Sequence, residues 1–273
     1  MKLSLSVRVA ESFLNKREVR IPLAELASIA ETAGYDALCL RASMVGIQDS
    51  ASKVAEVTNI LSKHNLDVSM ITGDFAVPEN KEAGPECLRN MTPYLDLAES
   101  VGADLIRICM KVEEDIEWAT RASDEAAERS IRLAHQSHTL SLFESVDGTD
   151  ETVRKVGRDN FGVIYEPANL ALCDQDYGPD TIARYKPYLF NVYLQNHVPE
   201  AGGPQPMTTW IRGPIESRLY PLDSGEGIDF DSVFAGLKAI GYGGYVTLHH
   251  AFDGDIEPQE AATRSAQFLR NLM

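Results

Sequence analysis

The chain has 273 residues, 44% of them apolar and 24% charged, the composition of an ordinary globular protein long enough to bury a large core. Its 25 Lys and Arg stand against 41 Asp and Glu, for a net charge of −16. That balance excludes a nucleic-acid backbone as the main ligand, because such binding needs clustered cations, and it disfavours adsorption to anionic membranes.

The amino-terminal segment MKLSLSVRVAESF is broken by Arg8 and Glu11 before it could serve as a signal peptide, and no stretch approaches the length of a membrane span. The expected location is the cytoplasm. Cys39, Cys87, Cys109 and Cys173 have apolar flanks and no metal-site spacing. They are expected as buried free thiols.

In chain order, short apolar runs alternate with helix-like segments. The expected strands are Leu3–Val9, Ala37–Arg41, Asp67–Ile71, Leu105–Cys109, Leu140–Glu144, Gly162–Glu166, Asn191–Gln195 and Tyr245–His249. Most are continuous apolar runs, as expected of strands covered on both faces. Helices are expected over Pro22–Ala33, which stops at Gly34, and over Ser50–His64, Glu113–His135, Asp231–Ile240 and Glu257–Leu272. Eight β–α units in this length predict a closed (β/α)8 TIM barrel occupying residues 1–273 as one domain. An open dinucleotide-binding sheet is disfavoured, since VAESFLN after the first strand has no glycine. The segment Val198–Gly227 has no helical period and follows the seventh strand. It is expected as a long rim loop, acting as a lid or as a subunit-contact arm.

Barrel closure would bring the carboxyl ends of the strands to one rim. Four runs end there in groups able to bind metal or move protons: SLFE at Glu144, GVIYE at Glu166, NVYLQNH at Gln195 and His197, and YVTLHH at His249. A carboxylate at the end of an apolar strand is costly unless it meets a cation or hydrogen bonds. Glu144, Glu166, Gln195 and His249 are therefore the candidate metal ligands. Two carboxylates, an imidazole and an amide oxygen suit Mn²⁺, with Mg²⁺ or Co²⁺ as alternatives. Glu144 and His249 are the candidate catalytic groups. Arg41, Asn169, Tyr193, His197 and Arg218 are candidate substrate contacts, with the choice among Tyr193, Gln195 and His197 left open by their shared parity. His138, six residues before Glu144, is expected near the opposite rim in a structural role, and Lys111 within reach of the catalytic one.

At these residues the chain resembles the sugar phosphate isomerase/epimerase family with a xylose isomerase-like barrel. The landmarks are ETAGYDALCL, ESVGADLIRI, LSLFES, GVIYEPANL and the closing run PLDSGEGIDFDSVFAGLKAIGYGGYVTL. The resemblance implies a divalent metal held by Glu, Asp, His and Glu at four strand tips, and proton transfer beside a sugar carbonyl. Glu144 would stand at the first position and Glu166 at the Asp position. The family's His-x-Lys-Asp reads Tyr193-Leu194-Gln195-Asn196, the final Glu is His249, and a frequent second-strand Glu is Cys39. The resemblance thus implies a metal-dependent keto-sugar isomerase or epimerase. The altered positions leave open a lyase acting on a 3-keto sugar or glycoside, as in C-glycoside deglycosidation, or a non-catalytic partner subunit. The expected partners are a small carbohydrate substrate and either further copies of the chain or a small partner subunit.

Overall fold

The computed structural model describes residues 1–12, 15–250 and 256–273. Phe13 and Leu14, in the glycine-free segment after the first strand, lie outside the described residues. The strands are β1 (Lys2–Ser6), β2 (Ala37–Leu40), β3 (Asp67–Ile71), β4 (Leu105–Ile108), β5 (Arg132–Gln136), β6 (Phe161–Tyr165), β7 (Leu189–Leu194), β8 (His197–Pro199), β9 (Gln205–Thr209), β10 (Gly213–Leu219) and β11 (Tyr245–Leu248). The helices are α1 (Leu23–Ala33), α2 (Ala51–Lys63), α3 (Thr92–Val101), α4 (Asp115–Ala127), α5 (Val146–Val156), α6 (Pro167–Leu172), α7 (Pro179–Tyr185), α8 (Phe230–Ala239) and α9 (Pro258–Leu272).

Eight parallel strands close into a barrel in the ring order β1-β11-β7-β6-β5-β4-β3-β2. Leu5 pairs with Leu248 where the two ends of the chain meet. Local signals fix the helix ends. Gly34 stops α1 at φ 78° in the left-handed region, Ser50 caps α2 by accepting from the Lys53 N–H, and Asp229 caps α8 by accepting from the Ser232 N–H. All four cysteines are buried and free. No described helix is long and apolar enough to cross a membrane.

The fifth strand departs from expectation. Leu140–Glu144 is not a strand, and Leu140 itself has φ 56°. The segment expected as one helix from Glu113 to His135 is α4, then a left-handed turn through Ser130 at φ 57°, then β5. The apolar residues that suggested a strand are buried in another way: Phe143 stacks on His135, with ring centroids 4.3 Å apart.

The rim loop also departs from expectation. Residues 197–219 form a three-stranded antiparallel sheet in the order β8-β10-β9, in which Ser217 pairs with both Pro199 and Gln205. Asn196, just after β7, holds the return to α8. It donates to the Pro221 and Glu226 carbonyls at 3.0 and 2.8 Å and accepts from the Ile228 N–H at 2.9 Å. Gly227 lies so close that a Cβ there would fall 2.1 Å from the Asn196 amide oxygen, and its φ is +84°. Only glycine fits that position, which explains the GEG of the closing run.

Inside the barrel, Cys39, Met70, Leu105, Ala134, Ile164 and Tyr193 form one apolar layer. Successive strand side chains alternate between faces. The residue two places further along each strand therefore also points inward, toward the carboxyl rim. Those residues are Arg41, Thr72, Arg107, Gln136, Glu166 and Gln195. A polar layer thus sits directly on an apolar plug.

Candidate active site

A cavity of about 490 Å³ opens above this polar layer. Arg8, Lys16, Arg107, Gln136, His138, Asn169, Gln195, His197 and His249 contribute to its wall, and Gln205, Met207 and Leu219 of the rim sheet cover one side. A larger groove of about 640 Å³ lies between α2 and α3. Its walls carry no histidine and no cation, so the convergent chemistry is at the barrel mouth.

Glu166 follows β6 and is fully buried. Its Oε2 accepts from the Gln136 amide and from Asn169 Nδ2 at 2.6 Å, and its Oε1 accepts from the Gln195 amide. Burial pushes its carboxyl up to about 7, against the opposing pull of the Gln136 hydrogen bond and the Arg107 charge. Asn169 is fixed on its other side by donation to the Ser137 carbonyl at 2.8 Å. With its amide nitrogen committed to Glu166, Gln136 keeps a buried carbonyl oxygen that has no partner.

Positive charge surrounds this clamp. Arg107, at the polar position of β4, is 3% exposed and lines the cavity. Arg41 is equally buried but is paired: its Nε lies 2.8 Å from Glu11 Oε1. Glu11 also faces Arg8 at 3.7 Å. Lys16 donates to the Pro78 carbonyl, and burial, reinforced by Arg41, Arg8 and Arg107, pushes its ammonium down to about 7.

Three histidines share the cavity. His138 Nδ1 lies 2.8 Å from the Thr139 carbonyl. A carbonyl only accepts, so that nitrogen carries the hydrogen and Nε2 keeps the lone pair. Burial and the nearby Arg107 hold His138 well below the usual imidazole range. His249 stacks on Tyr193 at 4.1 Å and bonds the Ser6 hydroxyl through Nδ1 at 3.0 Å. Burial, then Arg41 and Arg107, hold it well below its ordinary value too. His197 bonds Ser217 at 2.7 Å, and burial lowers it to about 4. All three imidazoles are neutral near pH 7.

The structure gathers Glu166, Gln195, Asn169, His197 and His249 at one place and separates other expected residues from them. Glu144 lies beyond β5 in the loop before α5. Its carboxylate accepts the backbone N–H groups of Leu140, Trp210 and Ile211, so its lone pairs anchor the rim hairpin instead of facing the cavity. Tyr193 belongs to the apolar layer, with its hydroxyl 3.1 Å from Cys39 Sγ. Arg41 is held by Glu11, and Arg218 is bound to Glu200 on the outer side of the rim sheet. Lys111 donates to the Leu140 carbonyl at 3.0 Å. His138, expected at the far rim, lines the cavity because the true strand ends at Gln136. Gln136, Arg107, Arg8 and Lys16 were not singled out by their local sequence. The lone arginine within the apolar run LIRIC was the one available signal.

The divalent ion implied by the family resemblance requires several anionic or oxygen donors. The polar layer offers one carboxylate, and three amide N–H groups already occupy it. Gln136, Gln195 and His249 are uncharged, and the charges acting on Glu166, those of Arg107 and Lys16, are cationic. No group of three or more His, Cys, Asp or Glu side chains arranged to hold a metal occurs among the described residues. These residues do not fit Mn²⁺, Mg²⁺ or Co²⁺.

A profile described as xylose isomerase-like TIM barrel matches residues 27–272. No curated protein matches the chain in sequence. Among solved structures, the chain is similar to the probable 3-DHS dehydratase involved in petrobactin synthesis from Bacillus anthracis, with a TM-score of 0.74, 15% identity and 99% of both chains covered. It is similar to a D-allulose 3-epimerase from Methylomonas sp. in complex with D-allulose, with a TM-score of 0.71, 16% identity and coverage of 100% of this chain and 97% of that one. It also resembles a xylose isomerase-like TIM barrel protein from Mycobacterium smegmatis in complex with magnesium, with a TM-score of 0.68, 15% identity and coverage of 99% and 96%. At these identities the likeness is one of fold.

Proposed function

The chain belongs to the xylose isomerase-like TIM barrel family, and from that premise we propose that it is an isomerase or epimerase that moves a proton beside the carbonyl of a small carbohydrate-class substrate. One observation carries this reading: two neutral imidazoles, His138 and His249, line the same cavity. They come from β5 and β11, three places apart in the barrel ring, and so approach a bound molecule from different sides. One imidazole removes the proton and the other returns it. Arg107 lies in the cavity wall to stabilise the negative charge that develops on the carbonyl oxygen. Glu166 acts as a positioning residue: it holds Gln136, Asn169 and Gln195 by their amide nitrogens and so fixes the orientation of all three amides. The metal dependence implied by the resemblance forms no part of the proposal, because the donor set does not suit it.

The test is deuterium incorporation from solvent at the carbon next to the carbonyl of a panel of keto-sugars. Exchange by the purified protein is expected, unchanged by added Mn²⁺, and lost for one epimer in His138→Asn and for the other in His249→Asn. Absence of exchange with every keto-sugar, or full exchange in both variants, overturns the reading. Exchange accompanied by loss of a leaving group would make the enzyme a lyase, since elimination shares the first step and a probable dehydratase is among the proteins of this fold.

A further inference from the structure

We propose that the cavity takes a substrate bearing an anionic group, a carboxylate or a phosphate, and seats that group on the Arg107 guanidinium with Arg8 and Lys16 beside it. The inference rests on the cavity being the substrate site, and it adds the charge of what binds there.

The argument begins with Arg107. It projects inward from β4, is 3% exposed, and its Nε has no hydrogen-bond partner. Its guanidinium makes no side-chain hydrogen bond and no ion pair within 4 Å with any described residue. A buried charge is tolerated when it is paired or hydrogen-bonded. The acids that could serve are already taken: Glu11 is bound to Arg41 at 2.8 Å and faces Arg8 at 3.7 Å, and Glu166 is saturated by three amides. Among the described residues of the barrel mouth, the cations Lys16, Arg41 and Arg107 therefore stand against the acids Glu11 and Glu166.

This local excess occurs in a chain whose net charge is −16. The general surface does not attract anions, so the positive charge here is a property of the cavity. The Lys16 ammonium beside it is pushed down to about 7 by burial first, and then by Arg41, Arg8 and Arg107. A guanidinium presents a planar fork that matches a carboxylate or a phosphate. A cavity of about 490 Å³ admits a small molecule carrying one such group. The ion that would relieve Arg107 is an anion, opposite in sign to the metal of related barrels.

The experiment titrates the 273-residue protein calorimetrically with inorganic phosphate, with malonate and with uncharged D-xylose, at low and at physiological salt. One-to-one binding of phosphate or malonate is expected, with the preferred probe telling which anionic group the site is built for. Arg107→Met should weaken that binding by at least about 30-fold, Arg107→Lys by less, and the exposed Arg158→Met not at all. The preferred anion should also raise the melting temperature of the wild-type protein, a readout that needs no variant. The inference fails if neither anion binds the wild type, if Arg107→Met binds as well as wild type, or if D-xylose binds as tightly and depends equally on Arg107. Anion binding through Arg107 without deuterium exchange would sink the proton-transfer reading alone. Exchange on a neutral keto-sugar without anion binding would sink this inference alone.

Discussion

Glu144 accepts the backbone N–H of Trp210 through both of its carboxylate oxygens, at 2.8 and 2.9 Å. It also takes the N–H of Leu140 at 2.8 Å and of Ile211 at 3.0 Å. One buried carboxylate thus ties the β5–α5 loop to the tip of the β9–β10 hairpin, whose strands cover the cavity. Glu144→Gln should cost about 1.5–3 kcal/mol, the usual range for hydrogen bonds to a charged group, because an amide offers one acceptor oxygen where the carboxylate offers two. Hydrogen exchange would show it, with the Trp210 and Ile211 amides losing protection while the barrel strands keep theirs. Any effect on turnover should enter through KM. Unchanged protection at those amides would remove Glu144 from the role of anchor.

The buried Arg41–Glu11 pair makes a stability prediction. Both side chains are almost fully buried, and Glu11 is also bonded by Ser43 at 2.7 Å. Removing one partner leaves an uncompensated charge in the barrel, so Arg41→Met and Glu11→Gln should each cost about 3–5 kcal/mol in urea unfolding. The double variant should cost less than the sum, because its second change removes the stranded charge. Simple additivity would mean that water or other groups already screen the pair.

The barrel was legible because β2, β3, β4, β6, β7 and β11 are mostly apolar runs, and burial on both faces produces such runs. β5 was not. Its residues RLAHQ carry polar groups that read as the tail of a charged helix, while the apolar TLSLFES a few residues later looks like the better strand. What decides between them is tertiary: Phe143 stacks on His135 and is buried without being in a sheet. That displacement put the expected strand tip at Glu144 instead of Gln136 and placed His138 at the opposite rim. Glu166, Gln195 and His249 were legible because each ends a genuine strand with inward parity. Arg8 and Lys16 were not, because Arg8 lies in a short 3-10 helix after β1 and Lys16 in a turn, and no local period marks their direction.

The carboxyl of Glu166 makes stability depend on pH with a definite sign. Its folded value, about 7, lies above its ordinary value of 4.5. Between those values the folded protein holds a proton that the unfolded chain has released. The contribution is therefore complete below pH 4.5 and is lost as pH rises through 7. Relative to Glu166→Gln, which cannot titrate, the wild type should lose roughly 3 kcal/mol across this window and then level off. Urea unfolding of both proteins at pH 4.5, 5.5, 6.5 and 7.5 measures it. A flat difference would mean that Glu166 stays ionised in the folded protein, the state a bound cation would impose.

The two-imidazole arrangement predicts an asymmetry that a single base would not produce. If His138 serves one face of the substrate and His249 the other, each variant lacks the group that handles one epimer's proton. His138→Asn and His249→Asn should each lower epimerisation by about 10²–10⁴-fold, the usual yield of a positioned base. Each should still wash deuterium into one epimer and not the other, with the preference reversed between them. Burial and the surrounding guanidinium groups keep both imidazoles unprotonated well below their ordinary range. The histidines should therefore add no loss of activity near the ordinary imidazole pKa of about 6.5 as pH falls from 8 to 6; the cavity groups that titrate in that window are Glu166 and Lys16, both near 7. Loss of exchange with both epimers in one variant and neither in the other would assign both proton transfers to a single histidine.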